Sequence, residues 1–86
     1  MTYSVKSTEP FEKEFSKHHK DKKEWLQTIK QRLEGNPECG KPLGGRLYGL
    51  WQLRTGPFRV WYEINNVEKT VTLKVILHKN EAEKLY

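Results

Sequence analysis

Between Leu50 and His78 apolar and polar residues alternate in three runs, and two turn signals separate the runs. This period of two belongs to half-buried strands and does not fit a helical stripe. Leu50 to Arg54 leads into Thr55-Gly-Pro57, Phe58 to Asn65 runs back, Asn65-Asn66 turns, and Thr70 to His78 returns. Pro57 has no N–H to give to a ladder, so it belongs at the turn. Three consecutive antiparallel strands are therefore expected, and the remaining chain must cover them.

The N-terminal half supplies that cover. Tyr3 to Ser7 alternates and reads as a short first strand. Ser7-Thr-Glu-Pro10 then starts a helix, with a hydroxyl cap, an early acid and a proline in the first turn. Phe11 and Phe15 lie four apart on one helical face. The periodicity lapses through His18-His-Lys-Asp-Lys-Lys23 and resumes with Trp25, Leu26, Ile29 and Leu33, and Gly35-Asn36-Pro37 ends that helix. The expected fold is α+β: an antiparallel sheet of about four strands with an N-terminal helical hairpin packed on one face. Residues 38–49 hold four of the six glycines and read as a loop with some extended structure. Lys79 to Tyr86 reads as a polar tail.

With 86 residues the chain suits one domain, 1–86, whose ten Trp, Tyr and Phe residues can close a small core. The lone Cys39 cannot form an internal bridge, and no Cys/His spacing suggests zinc. No metal or cofactor is implied. No apolar run approaches the roughly 20 residues needed to span a bilayer. The N-terminus lacks the apolar segment of a signal peptide. A cytoplasmic protein with no membrane partner is the expectation.

Strict alternation sorts the strand residues into faces. Trp51 and Leu53 share one face with Phe58, Val60, Tyr62 and Ile64, and with Val71, Leu73, Val75 and Leu77. The opposite, open face gathers Gln52, Arg54, Arg59, Trp61, Glu63, Lys74, Ile76 and His78. The net charge of +5 is concentrated here: residues 41–80 hold seven Lys/Arg, Arg46 among them, against Glu63 and Glu68. A basic surface of this kind suits phosphates or an acidic partner. The arginines offer planar donor forks for phosphate, Trp61 and Tyr86 offer stacking surfaces for bases, and His78 offers an imidazole that could move a proton. Each also has a structural reading. Arg59 can pair with Glu63 or the terminal carboxylate, Arg54 can cap the hairpin, Trp61 can cover an apolar floor, and His78 and Tyr86 can be ordinary surface residues.

The segment Lys41-Pro-Leu-Gly-Gly-Arg-Leu-Tyr-Gly-Leu-Trp-Gln-Leu-Arg-Thr-Gly-Pro-Phe-Arg-Val-Trp-Tyr-Glu-Ile64, with its Leu-Arg and Arg-Val-x-Tyr spacing, resembles the signature of the RelE/ParE toxin superfamily. The order of strand, helix pair and three strands extends the resemblance over nearly the whole chain. It implies a RelE-like microbial ribonuclease fold and a toxin of a type II toxin–antitoxin system. In the RelE branch such a toxin is an mRNA interferase, an endoribonuclease that acts on ribosome-bound mRNA and inhibits translation. The implied partners are the ribosome, mRNA and a small, acidic, partly disordered antitoxin.

By the same resemblance Arg59 matches the phosphate-binding arginine, Arg54 the arginine of the Leu-Arg pair, and Tyr86 a tyrosine near the C-terminus. The sequence departs from the RelE branch at Leu50 and Gln52, where two lysines are expected, and at Asn80, where an arginine is expected. His78 and Lys79 are the candidates to replace them. The expected catalytic set is Arg59, His78, Lys79 and Tyr86, with Arg46, Arg54, Trp61 and Lys74 binding RNA. Two alternatives stay open: a ParE-like toxin that inhibits DNA gyrase by contact, and a relative that only binds its antitoxin.

Overall fold

The computed structural model describes residues 2–85. Strand β1 (Ser4–Ser7) is followed by helices α1 (Glu9–His18) and α2 (Lys23–Gly35), the short β2 (Lys41–Pro42), β3 (Trp51–Thr55), β4 (Phe58–Asn65), β5 (Thr70–His78) and α3 (Lys79–Leu85). Two 3-10 turns, Pro37–Cys39 and Gly45–Leu47, shape the glycine-rich segment. The strands form one sheet in the order β1-β5-β4-β3-β2, with β1 parallel to β5 and the other neighbours antiparallel. The expected α+β arrangement is therefore present, with β2 as a fifth strand of two residues. Lys79–Leu85, within the segment that reads as a polar tail, forms a helix.

Local chemistry sets the helix ends. Thr8 Oγ1 accepts from the Phe11 N–H at 3.3 Å, and Pro10 sits in the first turn, where a missing N–H costs nothing. Beyond α2, Asn36 Oδ1 accepts from the Glu38 N–H and leads the chain into the first 3-10 turn. Phe11, Ile29 and Leu33 of the helical hairpin pack against Leu53, Val60, Tyr62, Val71, Leu73 and Ile76 of the sheet. Each large side chain buried there contributes roughly 1.5–3 kcal/mol.

The other face of the sheet is covered as well. Leu43, Trp61 and Ala82 form a second buried cluster, flanked by Leu47, Leu50, Val75 and Leu77. A bulge explains why Val75 and Leu77 lie here. Trp61 pairs with Val75 but Tyr62 pairs with Leu73, so Lys74 is an extra residue in β5. Past Lys74 the alternation reverses: Ile76 joins the main core opposite Val60, and His78 lies opposite Phe58. The strict alternation expected from the sequence therefore holds in β3 and β4 and fails in the second half of β5.

Tyr62 ties the sheet to the glycine-rich segment. Its hydroxyl donates to the Pro37 carbonyl at 2.6 Å and accepts from the Gly40 N–H at 3.2 Å. Burial pushes the phenol up to about 12, so it stays a donor across the physiological range.

On the helix side, His19 is packed edge-on against Phe58 with ring centroids 4.9 Å apart, and its Nδ1 is buried without a hydrogen-bond partner. Burial first, then the Lys22 ammonium, lowers its pKa below the usual 6.5. The unfolded chain therefore takes up a proton that the folded one resists. Stability contributed here is complete above pH 6.5 and is lost as pH falls from there toward the depressed folded value. Urea titrations across this range are expected to show that loss, and His19→Phe is expected to shrink it.

Candidate anion-binding cleft

Gly56, with φ of 60°, and Pro57 close the β3–β4 hairpin in a tight turn. Counting back from it, Arg54 and Arg59 are direct cross-strand neighbours on the face away from α1 and α2. Opposed side chains in such a pair have Cβ atoms about 4.5–5.5 Å apart, and like charges there are destabilising. Among the described residues no carboxylate pairs with either arginine; the ion pairs join Lys13 to Glu9, His18 to Glu14 and Lys22 to Asp21. The structural reading that gave Arg59 to Glu63 finds no support in the geometry. Arg59, rather than Arg54, holds the turn: its Nη1 donates to the carbonyls of Gly56 at 3.0 Å and Phe58 at 2.8 Å. One edge of the guanidinium is thereby fixed, and among the described residues its other N–H groups have no hydrogen-bond partner.

Around this pair lies a cleft of about 240 Å³ lined by Lys41, Leu43, Gln52, Arg54, Arg59, Lys79, Ala82 and Glu83. Its floor is β3 and β4. Lys41 on β2 forms one wall, in register with Gln52. The opposite wall is α3, whose Lys79, Ala82 and Glu83 follow helical spacing on one side. Gln52 Oε1 accepts from Trp61 Nε1 at 2.9 Å, which leaves the amide N–H groups of Gln52 as neutral donors. Among the described residues four cations and one carboxylate thus share the cleft. That set can bind a phosphate diester through several charge-assisted bonds at once.

Of the residues singled out in the sequence, Arg54, Arg59 and Lys79 meet here. Trp61 is only 4% exposed beneath Leu43 and Ala82, so its rings present no stacking surface. Lys74, at the bulge, lies beside Pro10, Phe11 and Glu14 of α1. Arg46 is exposed on the second 3-10 turn and does not line the cleft. Tyr86 lies outside the described residues. Lys41 and Glu83 join the cleft from β2 and α3, segments that the sequence presents only as a loop with some extended structure and a polar tail. The spacing Lys79-x-x-Ala82-Glu83 among good helix formers was the available signal.

His78 is on the far side of β5 from the cleft. Its ring lies 6.1 Å from Phe58, its Nδ1 accepts from the Asn80 N–H at 3.2 Å, and Glu81 Oε1 accepts from the His78 N–H at 3.1 Å. This reciprocal pair caps the start of α3. His78→Ala is expected to lower stability by about 1 kcal/mol in denaturant titrations. His78→Asn, a good cap, is expected to restore that stability.

Among the described residues no group of three His, Cys, Asp or Glu side chains is placed to hold a metal ion. No helix among them is long and apolar enough to cross a membrane.

No curated protein matches the sequence. Among solved structures, a chain of the toxin–antitoxin complex RelBE2 from Mycobacterium tuberculosis is 25% identical, with a TM-score of 0.82 over 92% of this chain and 100% of that one. A chain of the archaeal RelE–RelB complex from Pyrococcus horikoshii has the same fold at 23% identity, with a TM-score of 0.72 over 92% of this chain and 97% of that one. A mutant RelE toxin from E. coli in the free state does too, at 21% identity and a TM-score of 0.74 over 96% and 90% of the two chains. The family model for the ParE toxin of type II toxin–antitoxin systems matches residues 5–83. The chain belongs to that family and is a type II toxin of the RelE/ParE superfamily.

Proposed function

We propose that this toxin is an endoribonuclease that cuts ribosome-bound mRNA and so arrests translation. The observation that carries the reading is the opposed Arg54–Arg59 pair at the cleft, with which no described carboxylate forms an ion pair. Such a pair weakens the sheet unless an anion sits between or above it. An RNA phosphate is an anion of the right shape for two guanidinium forks. Attack by the ribose 2′-hydroxyl on that phosphate builds negative charge on its non-bridging oxygens, where fixed donors act most strongly. Arg59, already anchored to the turn, is oriented before substrate arrives.

A second reading, inhibition of DNA gyrase by contact, is favoured by one feature. Position 52, a lysine in the RelE branch, is here a glutamine tied to Trp61. The match to the ParE family model points the same way. Inducing the protein in cells and mapping mRNA 5′ ends separates the two. Cuts at a fixed position within codons support the endoribonuclease. Intact messages with a DNA-damage response overturn it in favour of the gyrase reading.

The expected partner is an antitoxin with an acidic, partly disordered segment that orders on binding, since the basic cleft needs neutralising when the toxin is held inactive. The similar RelE chains from Pyrococcus horikoshii and from the Mycobacterium tuberculosis complex were solved with antitoxins, in keeping with such a pairing.

A further inference from the structure

We infer that Glu83 is the proton acceptor of the cleavage reaction and that Lys41, on the facing wall, is the proton donor. The inference rests on the endoribonuclease reading and assigns to it residues that neither the fold nor the sequence pattern names.

Cleavage by a 2′-hydroxyl needs a base for its proton and an acid for the departing 5′-oxygen. Of the groups lining the cleft, Lys41, Arg54, Arg59 and Lys79 are cations, and Gln52 is a neutral amide whose oxygen is already bonded to Trp61. An amide neither takes nor gives a proton in this range. His78 is turned to the other face, with Nδ1 engaged at the start of α3. Among the described lining residues Glu83 is the one carboxylate, the group left that can accept a proton. It is one helical turn from Lys79 yet forms no ion pair with it among the described residues. Among the described residues its oxygens have no partner, so they can take a hydroxyl.

Placement supports the pairing. In-line displacement requires the entering and leaving oxygens on opposite sides of phosphorus. The two arginines lie on the floor, Glu83 rises from α3 over β4 and β5, and Lys41 rises from β2 at the other edge of the sheet. Both side chains line the same cleft of about 240 Å³, with β3 and β4 as its floor.

The step balances without any other reactant. The O2′–H bond breaks and its proton passes to a Glu83 oxygen. The freed electron pair forms the O2′–P bond. The P–O5′ bond breaks with its electrons on O5′, which takes a proton from the Lys41 ammonium. The products are a 2′,3′-cyclic phosphate end and a 5′-hydroxyl end, and exchange with water restores both side chains. Arg54, Arg59 and Lys79 hold the charge on phosphorus.

The test compares wild type, Glu83→Gln, Glu83→Asp, Lys41→Ala and the control Glu63→Gln, which removes an exposed carboxylate outside the cleft. Each is checked for a native circular-dichroism spectrum and assayed on ribosome-bound mRNA. A second substrate carries sulfur in place of the scissile 5′-oxygen, a leaving group that needs no proton. Glu83→Gln is expected to cleave both substrates about 100-fold or more slowly and to bind 2′-deoxy-blocked message within about threefold of wild type. Glu83→Asp regains part of the rate. Lys41→Ala is slow on the oxygen substrate and restored on the sulfur one. Cleavage by Glu83→Gln within threefold of wild type, a loss matched by Glu63→Gln, or a loss explained by weaker binding overturns the inference and leaves the endoribonuclease reading standing. Failure of wild type to cut either substrate removes both together.

Discussion

Arg59→Ala is expected to lower cleavage of ribosome-bound mRNA by about 10²–10³-fold, the scale set by removing one fixed donor from developing charge. The fold should survive. The variant loses two hydrogen bonds to turn carbonyls but also removes one of two opposed like charges, and these effects act in opposite directions. A net stability change within about 1 kcal/mol is expected in urea titrations. Arg59→Lys should recover little activity. An ammonium has no fork, so it cannot hold the carbonyls of Gly56 and Phe58 while presenting donors to phosphate. Arg54, free of those carbonyls, should be the weaker of the pair. An active Arg59→Ala protein with native stability would remove the phosphate-binding role from this position.

Gly40→Ala is expected to be the most disruptive small substitution. A Cβ at Gly40 would meet the Gln52 carbonyl oxygen at 2.5 Å and the Tyr62 hydroxyl at 2.7 Å. The first contact is to backbone, so relief requires β2 to move off β3. Overpacking of this kind costs about 1–3 kcal/mol. Loss of the Gly40 N–H bond to Tyr62 adds about 1 kcal/mol more. Adding Tyr62→Phe to Gly40→Ala should be less than additive, because the phenol oxygen is one of the clashing atoms. Denaturation midpoints of the two single variants and the double variant check this. Additive losses would show that the hydroxyl and the glycine act independently. Since Lys41 follows directly, the same substitution should also blunt activity.

Much of the sheet was legible in the sequence because the hairpin Leu53 to Ile64 obeys period two on both sides of a glycine-proline turn. Residues 51, 53, 58, 60, 62 and 64 all face the side expected of them. The second half of β5 was not legible for a definite reason. Val75, Ile76 and Leu77 are all apolar, so either phase satisfies the pattern, and only contact with β4 reveals the extra Lys74. The helix α3 was hidden because its residues offer Ala82 and Leu85 but no stripe. Those two omissions explain the site. Arg54 and Arg59 were visible from the hairpin alone, Lys41 and Glu83 required neighbours far away in sequence, and Trp61 and His78 changed surroundings once α3 and the bulge were in place.

The bulge at Lys74 also has a consequence for reading sequences side by side. An extra residue in a strand costs an alignment no gap if the next loop absorbs the difference, yet it exchanges the two faces of everything that follows. Between this chain and any relative lacking the extra residue, a histidine written in the column of His78 would point into the cleft in one protein and away from it in the other. Past that point, shared letters are no guide to shared chemistry until the ladder has been counted.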